Sequence, residues 1–372
     1  MLARINPPFR AEHIGSLLRP PQLLELRARF VRGEIDQATL AAAENHAIKD
    51  ALALQKRIGF KFATDGEFRR RSYHSFFYRQ LGDISIDTTG GENADGGTAP
   101  RRAVQPVALI NSRVHWAAPI HVEDFKFIAA NTDLLPKITI PGPCALHFRG
   151  GDAAVLARAY TDIDHFWEDI VTAFDRELEA LAKAGCRYIQ IDETAFAKFG
   201  DAEILAWLKA RGDDPLALID KYIAITNRVL ANAPRTLHIG MHLCRGNRGG
   251  RWHAEGGYES IAERLFNELA ISFYLLEYDS PRAGSFAPLR FVPRHKTVVL
   301  GLVSTKTAEL ERRDDLRRRI DEAARYVDID RLAISPQCGF AGIETGNPIS
   351  PDVQERKLRL VVELAHEIWG DA

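Results

Sequence analysis

The sequence is poor in cysteine, in net charge and in long apolar runs, and each shortage excludes a class of protein. Its four cysteines are widely spaced over 372 residues, unlike the cysteine pattern of a small disulfide-bonded secreted domain. The net charge of −1 gives no electrostatic basis for binding nucleic acid or an anionic membrane. The longest apolar runs, such as Thr297–Val303, are too short to span a bilayer. The first residues lack the apolar stretch of a secretory signal, so we expect a cytoplasmic protein.

Short apolar segments alternate with longer amphipathic segments along most of the chain. Several of the short segments are continuously apolar, as parallel strands covered on both faces are. The predicted strands are Ala11–Gly15, Phe60–Thr64, Lys137–Ile140, Tyr188–Ile191, His238–His242, Phe273–Tyr278, Thr297–Leu302 and Leu332–Ser335. The clearest predicted helices are Ala38–Ile58, Asp162–Ala184, Ile219–Ala233, Tyr258–Leu269, Leu310–Tyr326 and Pro351–Ile368.

Eight strands alternating with helices predict an α/β fold, a (β/α)₈ TIM barrel that takes up residues 1–372 as a single domain. The length would also allow two smaller domains. An open doubly wound sheet is the alternative, but no glycine-rich dinucleotide fingerprint follows the first strand. The alternation breaks near residues 78–122, where turn-rich Thr88–Arg102 lies beside β-like Val104–Ile110 and Val114–His121. We expect a β-hairpin insertion there, in a loop near the barrel mouth.

Reactive and polar side chains concentrate at the ends of the predicted strands. His242 and Cys244 are two residues apart on one strand, so they point to the same side. A His-x-Cys pair is by itself more often packing than a metal site, but Glu277 ends the next strand and Cys338 follows the last one. One imidazole, one carboxylate and two thiolates suit Zn²⁺ in tetrahedral geometry. These four residues therefore predict a zinc site on the catalytic face of the barrel.

The four residues resemble the zinc motif of the cobalamin-independent methionine synthases, which lies in their catalytic C-terminal barrel. The chain is most similar to the stand-alone methionine-synthase-like members, which are related to epoxyalkane:coenzyme M transferases. In the family's motif a His-x-Cys pair, a glutamate and a cysteine bind zinc, and here these positions are His242, Cys244, Glu277 and Cys338.

The resemblance implies an enzyme of methionine biosynthesis, a zinc-dependent S-methyltransferase of the 5-methyltetrahydropteroyltriglutamate–homocysteine methyltransferase type. It would transfer an alkyl group, methyl in that family, to a small thiol such as homocysteine through a zinc-bound thiolate. A free thiol with a pKa of about 8.5 is only slightly ionised at neutral pH. Coordination to zinc deprotonates it and makes it a nucleophile.

Three further segments extend the resemblance over nearly the whole chain. They are His13–Ser16, Asp65–Glu67 and Tyr188–Glu193. By the resemblance, Ser16 receives the carboxylate of the amino acid substrate, while Glu67 and Asp192 bind its ammonium group. The alternative is that these are polar residues that satisfy strand ends.

The chain differs from the family at positions that the family uses for the alkyl donor and for catalysis. The tryptophan on which the family stacks folate is absent, and His147 and Phe148 stand near its place, where an aromatic donor could still stack. The catalytic histidine after the seventh strand is also absent, and Ser304 and Lys306 occupy that stretch. Lys306 is expected either to protonate a leaving group or bind an anion, or to be a surface lysine at a helix start. The second, N-terminal barrel of methionine synthase has no room in this chain.

A glycine- and arginine-rich loop, Arg245–Tyr258, follows the His-x-Cys pair. We expect Arg245 to bind an anionic substrate as this loop closes, with a solvated flexible loop as the alternative. Arg248, Arg251 and His253 of this loop are expected to lie beside the metal, and Arg69–Arg71 and Tyr73–His74 after the second strand are expected to line the same mouth.

The expected partners are a small thiol and an alkyl donor, with a folate among the candidate donors and a homo-oligomer among the candidate assemblies. One rival function is a thiol transferase or lyase that opens an epoxide or uses another alkyl donor. A metal-free decarboxylase is disfavoured, because it would not need four metal ligands. A rival of a different class is a thiol- or metal-binding protein that needs a partner for turnover.

Overall fold

The computed structural model describes residues 5–87 and 107–372. The strands in these ranges are β1 (Phe62–Ala63), β2 (Ile84–Asp87), β3 (Val107–Ile110), β4 (Leu135–Pro141), β5 (Tyr188–Asp192), β6 (His238–Leu243), β7 (Phe273–Glu277), β8 (Thr297–Val303) and β9 (Leu332–Pro336). The α-helices are α1 (Pro21–Val31), α2 (Gln37–Ile58), α3 (Ser75–Arg79), α4 (Val122–Asn131), α5 (Ala145–Leu156), α6 (Ile163–Ala184), α7 (Ala202–Arg211), α8 (Pro215–Asn232), α9 (Ala262–Glu268), α10 (Arg313–Ala323) and α11 (Pro351–Trp369). None of these helices is both long enough and apolar enough to cross a membrane.

Seven of the strands form one curled parallel sheet in the order β1-β4-β5-β6-β7-β8-β9. All residues of β5, β7 and β9 are buried, because helices cover the outside while side chains fill the inside. The strand ends that carry the predicted site residues therefore converge on one rim. The prediction of a TIM-barrel fold is confirmed.

The predicted first strand occupies the eighth position of the barrel, but it forms only a bridge. Ala11 pairs with Ile334 of β9 in a parallel bridge, and the Glu12 N–H donates to the Ile334 carbonyl at 2.9 Å. On the other side, the Leu17 N–H donates to the carbonyl of Gly66, just beyond β1, at 3.1 Å. This segment thus joins the two edges of the sheet without a continuous ladder of its own.

The helix α6 shows how local sequence signals set the element boundaries. It begins after Asp162, whose carboxylate accepts a hydrogen bond from the Asp164 N–H at 2.9 Å, and it ends at Gly185, which has a φ of 105°. Phe166 and Ile170, one helical turn apart, are buried against the barrel. The predicted bounds of this helix agree with the structure to within one residue at its start.

The insertion near residues 78–122 contains an antiparallel β-hairpin, as expected, but with different partners. β3 covers part of the predicted Val104–Ile110 segment and pairs with β2. The prediction that Val114–His121 is β-like is wrong, because the Glu177 carboxylate of α6 accepts the N–H groups of both Ile120 and His121 at 2.8 Å. A side chain of a neighbouring helix thus holds this segment in place of a strand. The predicted turn-rich stretch Thr88–Arg102 lies outside the described residues.

Candidate metal and substrate site

Three of the predicted metal ligands meet at the rim of the barrel. His242 is the second-last residue of β6, and Cys244 follows directly after that strand. Cys338 lies just after β9. Their candidate ligand atoms all lie within 4.8 Å of one another. Alternation along β6 directs His242 and Cys244 to one side, and the curvature of the sheet brings Cys338 to them.

The two ring nitrogens of His242 differ in their hydrogen bonding. Nδ1 lies 3.1 Å from the carbonyl oxygen of Leu275, and since a carbonyl only accepts, Nδ1 carries the hydrogen. Nε2 is buried and has no hydrogen-bond partner among the described residues. A buried nitrogen lone pair without a partner is costly, and a histidine that ligates a metal donates its other ring N–H in just this way. One imidazole nitrogen and two thiol sulfurs fit a zinc ion.

The two thiols influence each other's ionisation. Interaction with the Cys338 thiol lowers the pKa of Cys244 well below its ordinary value, and the same interaction raises the pKa of Cys338. Burial lowers the pKa of His242, but Cys244, Asp192 and Glu277 together outweigh it and leave the pKa raised. One thiolate is therefore stabilised at this point of the rim, as a metal ligand requires.

Glu277, the fourth predicted ligand, ends β7 beside this cluster but is bound to cations. Its Oε2 accepts the Arg245 backbone N–H at 2.6 Å, while Oε1 lies 2.5 Å from Arg282 and 3.4 Å from Lys306. Burial alone would raise the pKa of Glu277, but Lys306, Arg245 and Arg282 outweigh it and lower the pKa to about 2. The carboxylate is thus ionised, and its role as a ligand stays a prediction.

A cavity of about 340 Å³ opens onto the metal-ligand cluster. Six of the predicted site residues line it, namely Ser16, Glu67, Asp192, His242, Cys244 and Cys338. The mouth residues Tyr73, His74, Arg248 and His253 line it as well, as expected from the sequence. Residues from five different parts of the chain therefore share one cavity at the barrel rim.

The predicted amino-acid-binding residues are buried and face this cavity. The Ser16 hydroxyl accepts the Ala341 N–H at 3.3 Å, so a backbone donor lies beside it. Glu67 has a φ of 60°, held by the Asp65 carboxylate, which accepts the Glu67 N–H at 2.8 Å. Such strain is typical of functional positions. Burial raises the pKa of Asp192 to about 7, so a cation that binds there would favour its ionised form.

Three predicted substrate-binding residues lie elsewhere. The Phe148 ring is fully buried, 5.9 Å from the ring of Phe199, and His147 is bound through Nδ1 to the Tyr222 hydroxyl at 2.8 Å. Arg245 is fully buried, and its guanidinium donates to the carbonyl oxygens of Gly256, Glu277 and Ala283. None of these three side chains lines the cavity, so their expected contact with substrate stays a prediction without a contact in this structure.

The two predicted catalytic residues form a network beside Glu277. Lys306 Nζ lies 3.4 Å from Glu277 and 3.7 Å from Asp279, and the Ser304 hydroxyl donates to Asp279 at 2.9 Å. Neither residue lines the cavity. Buried carboxylates bind both side chains, and their catalytic roles stay predictions.

Among the cavity-lining residues that the sequence analysis missed are Arg149, Thr194, Lys198 and Asn247. Arg149 follows directly after His147 and Phe148, in the segment singled out for donor binding. Because each helical residue is turned by about 100° from the previous one, neighbours on α5 face different surroundings. Lys198 lies a few residues beyond Asp192. Polar residues shortly after a strand end were the available signal.

The fold and site define a TIM-barrel protein with a His/Cys cluster of candidate metal ligands that lines its cavity. The model of the family "Cobalamin-independent synthase, Catalytic domain" matches residues 9–366. The chain is 39% identical over 371 residues to the uncharacterized protein YxjG of Bacillus subtilis, covering 99% of this chain and 97% of the relative. The chain belongs to the cobalamin-independent synthase family.

Two further similarities agree with this family. A methionine synthase of Pyrococcus furiosus is 22% identical over 330 residues, covering 88% of this chain and 85% of the relative. The crystal structure of a candidate vitamin-B12 independent methionine synthase from Listeria monocytogenes matches with a TM-score of 0.74, at 32% identity and 98% coverage of both chains.

Proposed function

We propose that this protein is a zinc-dependent methyltransferase that methylates the sulfur of homocysteine. The observation that carries the proposal is the buried Nε2 of His242, which has no hydrogen-bond partner among the described residues and lies beside the Cys244 and Cys338 thiols. The cavity at this cluster is also lined by Ser16, Glu67 and Asp192. The family match supports the class of reaction. We also propose that the chain acts as a single catalytic domain.

His242, Cys244 and Cys338 would hold the zinc ion, with Glu277 as the fourth candidate ligand. When bound there, zinc would supply the positive charge that keeps a substrate thiol ionised at neutral pH. The Leu275 carbonyl keeps the His242 ring oriented for this role through Nδ1.

The remaining cavity residues would orient the amino acid end of homocysteine. Glu67 has one buried carboxylate oxygen with no hydrogen-bond partner among the described residues, and it suits an ammonium group. Asp192 is the second carboxylate on the same cavity. Ser16 and the neighbouring Ala341 N–H would receive the substrate carboxylate. Holding the thiol close to the donor's methyl carbon could contribute several kcal/mol to lowering the barrier.

In the reaction the substrate sulfur forms a bond to the methyl carbon, and the donor leaves with the electron pair of the broken bond. The cavity residues contribute orientation and exclusion of water. The methionine synthase of Pyrococcus furiosus matches this chain over 85% of its own length, which supports methyl transfer by a chain with one barrel.

The test combines metal analysis with X-ray absorption at the zinc edge, with and without homocysteine. We expect about one zinc per chain and a coordination shell of two sulfurs that gains a third sulfur when homocysteine is added. A Cys186→Ser variant should behave identically, because Cys186 is buried outside the cavity. Absence of zinc, or a shell that does not change with homocysteine, would contradict the proposal. Methionine formation with candidate methyl donors then measures turnover.

A further inference from the structure

The cavity contains a buried guanidinium, that of Arg149, which has no carboxylate partner in the described part of the chain. Arg149 lines the cavity and is 4% exposed. Its Nη1 donates to the Ala145 carbonyl at 2.5 Å and its Nη2 to the Tyr73 hydroxyl at 3.1 Å, while Nε has no partner among the described residues. Within that part of the chain it forms no ion pair with an acidic side chain. A buried charge without a counterion is costly, so the site is prepared for an anion.

Other cations share the cavity with Arg149. Lys198 lines it, is 1% exposed, and lies 5.0 Å above the ring of Phe148. The carboxyl group of Glu193 interacts electrostatically with both cations. Its two oxygens accept hydrogen bonds from the backbone N–H groups of Ala195 and Cys144. The Arg149 guanidinium therefore faces cavity space that an external anion can enter.

Tyr73 contacts Arg149 and lines the same cavity as the cluster of His242, Cys244 and Cys338. Its hydroxyl accepts from Arg149 and lies 3.4 Å from the Thr194 hydroxyl, and its ring lines the cavity. Burial raises the pKa of Tyr73 to about 12, with Arg149 lowering it and Cys244 raising it. Arg149 and Tyr73 line the same cavity as the Cys244 and Cys338 thiols. A small molecule can contact the guanidinium while its reactive carbon lies near the thiols.

We infer that Arg149, with Tyr73 and Lys198, binds an anionic group of the alkyl donor, a carboxylate or a sulfonate. This inference rests on the proposed function. The donor is favoured over the thiol substrate because Ser16, Glu67 and Asp192 already suit the charged groups of the amino acid. A planar guanidinium with free donors matches carboxylate and sulfonate oxygens. The donor-binding role thus falls to Arg149 and not to the adjacent His147 and Phe148.

The test compares an anionic and a neutral alkylating probe, iodoacetate and iodoacetamide, on the protein as purified. In both reactions a cysteine sulfur forms the S–C bond, the C–I bond breaks, and iodide leaves with the electron pair. The rates at Cys244 and Cys338 are measured by mass spectrometry. Each rate is divided by the rate of the same probe with free homocysteine, which removes intrinsic reactivity. The ratio of the two normalised rates reports the preference for an anion.

We expect Arg149→Met to lower this preference for iodoacetate at least tenfold, because an attractive charge close to the probe is lost. Arg149→Lys should keep most of the preference, and Lys198→Met should lower it in part. Arg158→Met is the matched control, since Arg158 is exposed and does not line the cavity. Circular dichroism verifies folding. An unchanged preference in both Arg149→Met and Lys198→Met would overturn the inference.

A competition experiment separates the two sources of the anion. Methionine, which has no free thiol, should slow both probes equally and leave the preference unchanged. Loss of the preference with methionine would assign Arg149 to the amino acid carboxylate and overturn the donor assignment. Because alkylation requires no methyl transfer, this result is independent of whether homocysteine is methylated.

Discussion

His242 of β6 donates its Nδ1 hydrogen to the carbonyl oxygen of Leu275, its register partner on β7, at 3.1 Å. The neighbouring strand thus determines which nitrogen of the imidazole faces the thiols. A backbone carbonyl cannot rotate away as a side chain can, so the ring orientation is set before any ligand binds. This contact links the barrel framework directly to the chemistry of the site.

Replacement of the metal ligands should remove zinc without unfolding the protein. His242→Ala and Cys244→Ala are each expected to lower the zinc content of purified protein at least tenfold, because each deletes a ligand. Plasma mass spectrometry measures the metal, and thermal unfolding verifies the fold. Cys186→Ala is the matched control, since the Cys186 thiol donates to the Tyr188 carbonyl at 3.5 Å outside the cavity. Full zinc retention in both ligand variants would refute the assigned site.

Removing the charge of Glu277 should destabilise the protein far more than removing a surface charge. Glu277→Gln leaves the buried cations Arg282 and Lys306 with Asp279 as their remaining carboxylate partner, and we expect a loss of about 3 kcal/mol in the free energy of unfolding. Glu259→Gln removes an exposed pair with Arg290 and should cost less than about 1 kcal/mol. Urea denaturation in the presence of a chelator measures both without a metal contribution. Equal losses would show that the Glu277 network contributes no more than a surface pair.

The Gly339–Ser16 contact should control binding of the amino acid substrate. A Cβ at position 339 would lie 1.9 Å from the Ser16 Oγ, so Gly339→Ala must displace this hydroxyl. We expect Gly339→Ala and Ser16→Ala each to weaken homocysteine binding about tenfold, as lost hydrogen bonds to charged groups do. Titration calorimetry provides the measurement. The double variant should bind like either single variant, and additive losses would show that Gly339 acts through another group.

The free energy of unfolding should depend on pH because of the buried carboxyl group of Glu193. Burial raises the pKa of this carboxyl from 4.5 to about 7 in the folded state. Between these pH values the folded protein keeps the proton and the unfolded chain releases it. The free energy of unfolding therefore falls as pH rises through this window, by up to about 1.4 kcal/mol per pH unit, and this decline ends above pH 7.

Glu193→Gln should remove this component of the slope. Urea denaturation at several pH values between 4.5 and 8 measures it. Glu179→Gln, at an exposed position of α6, is the matched control and should leave the slope unchanged. If Glu193→Gln retains the full slope, the carboxyl does not hold a proton in the folded state.

The sequence was sufficient to predict the barrel and the cluster of His242, Cys244 and Cys338, because both depend on local patterns. Apolar runs and helical periodicity located seven of the eight barrel strands to within about two residues of their observed ends. Residues i and i+2 of a strand share a side, so His242 and Cys244 were predictable as a pair. Because parallel strands all end on one rim of the barrel, Cys338 after the last strand was predictable as a neighbour of His242 and Cys244.

Only the tertiary structure decided which charged side chains face the cavity. Arg245 and Lys306 are bound to buried carbonyl and carboxylate oxygens, whereas Arg149 points to open space. On α5, one step along the helix separates the fully packed Phe148 from the cavity-lining Arg149. Local patterns do not specify which helix face meets the cavity, because that depends on residues such as Phe199 that are distant in sequence. The choice between burial and substrate contact is therefore made by packing between elements.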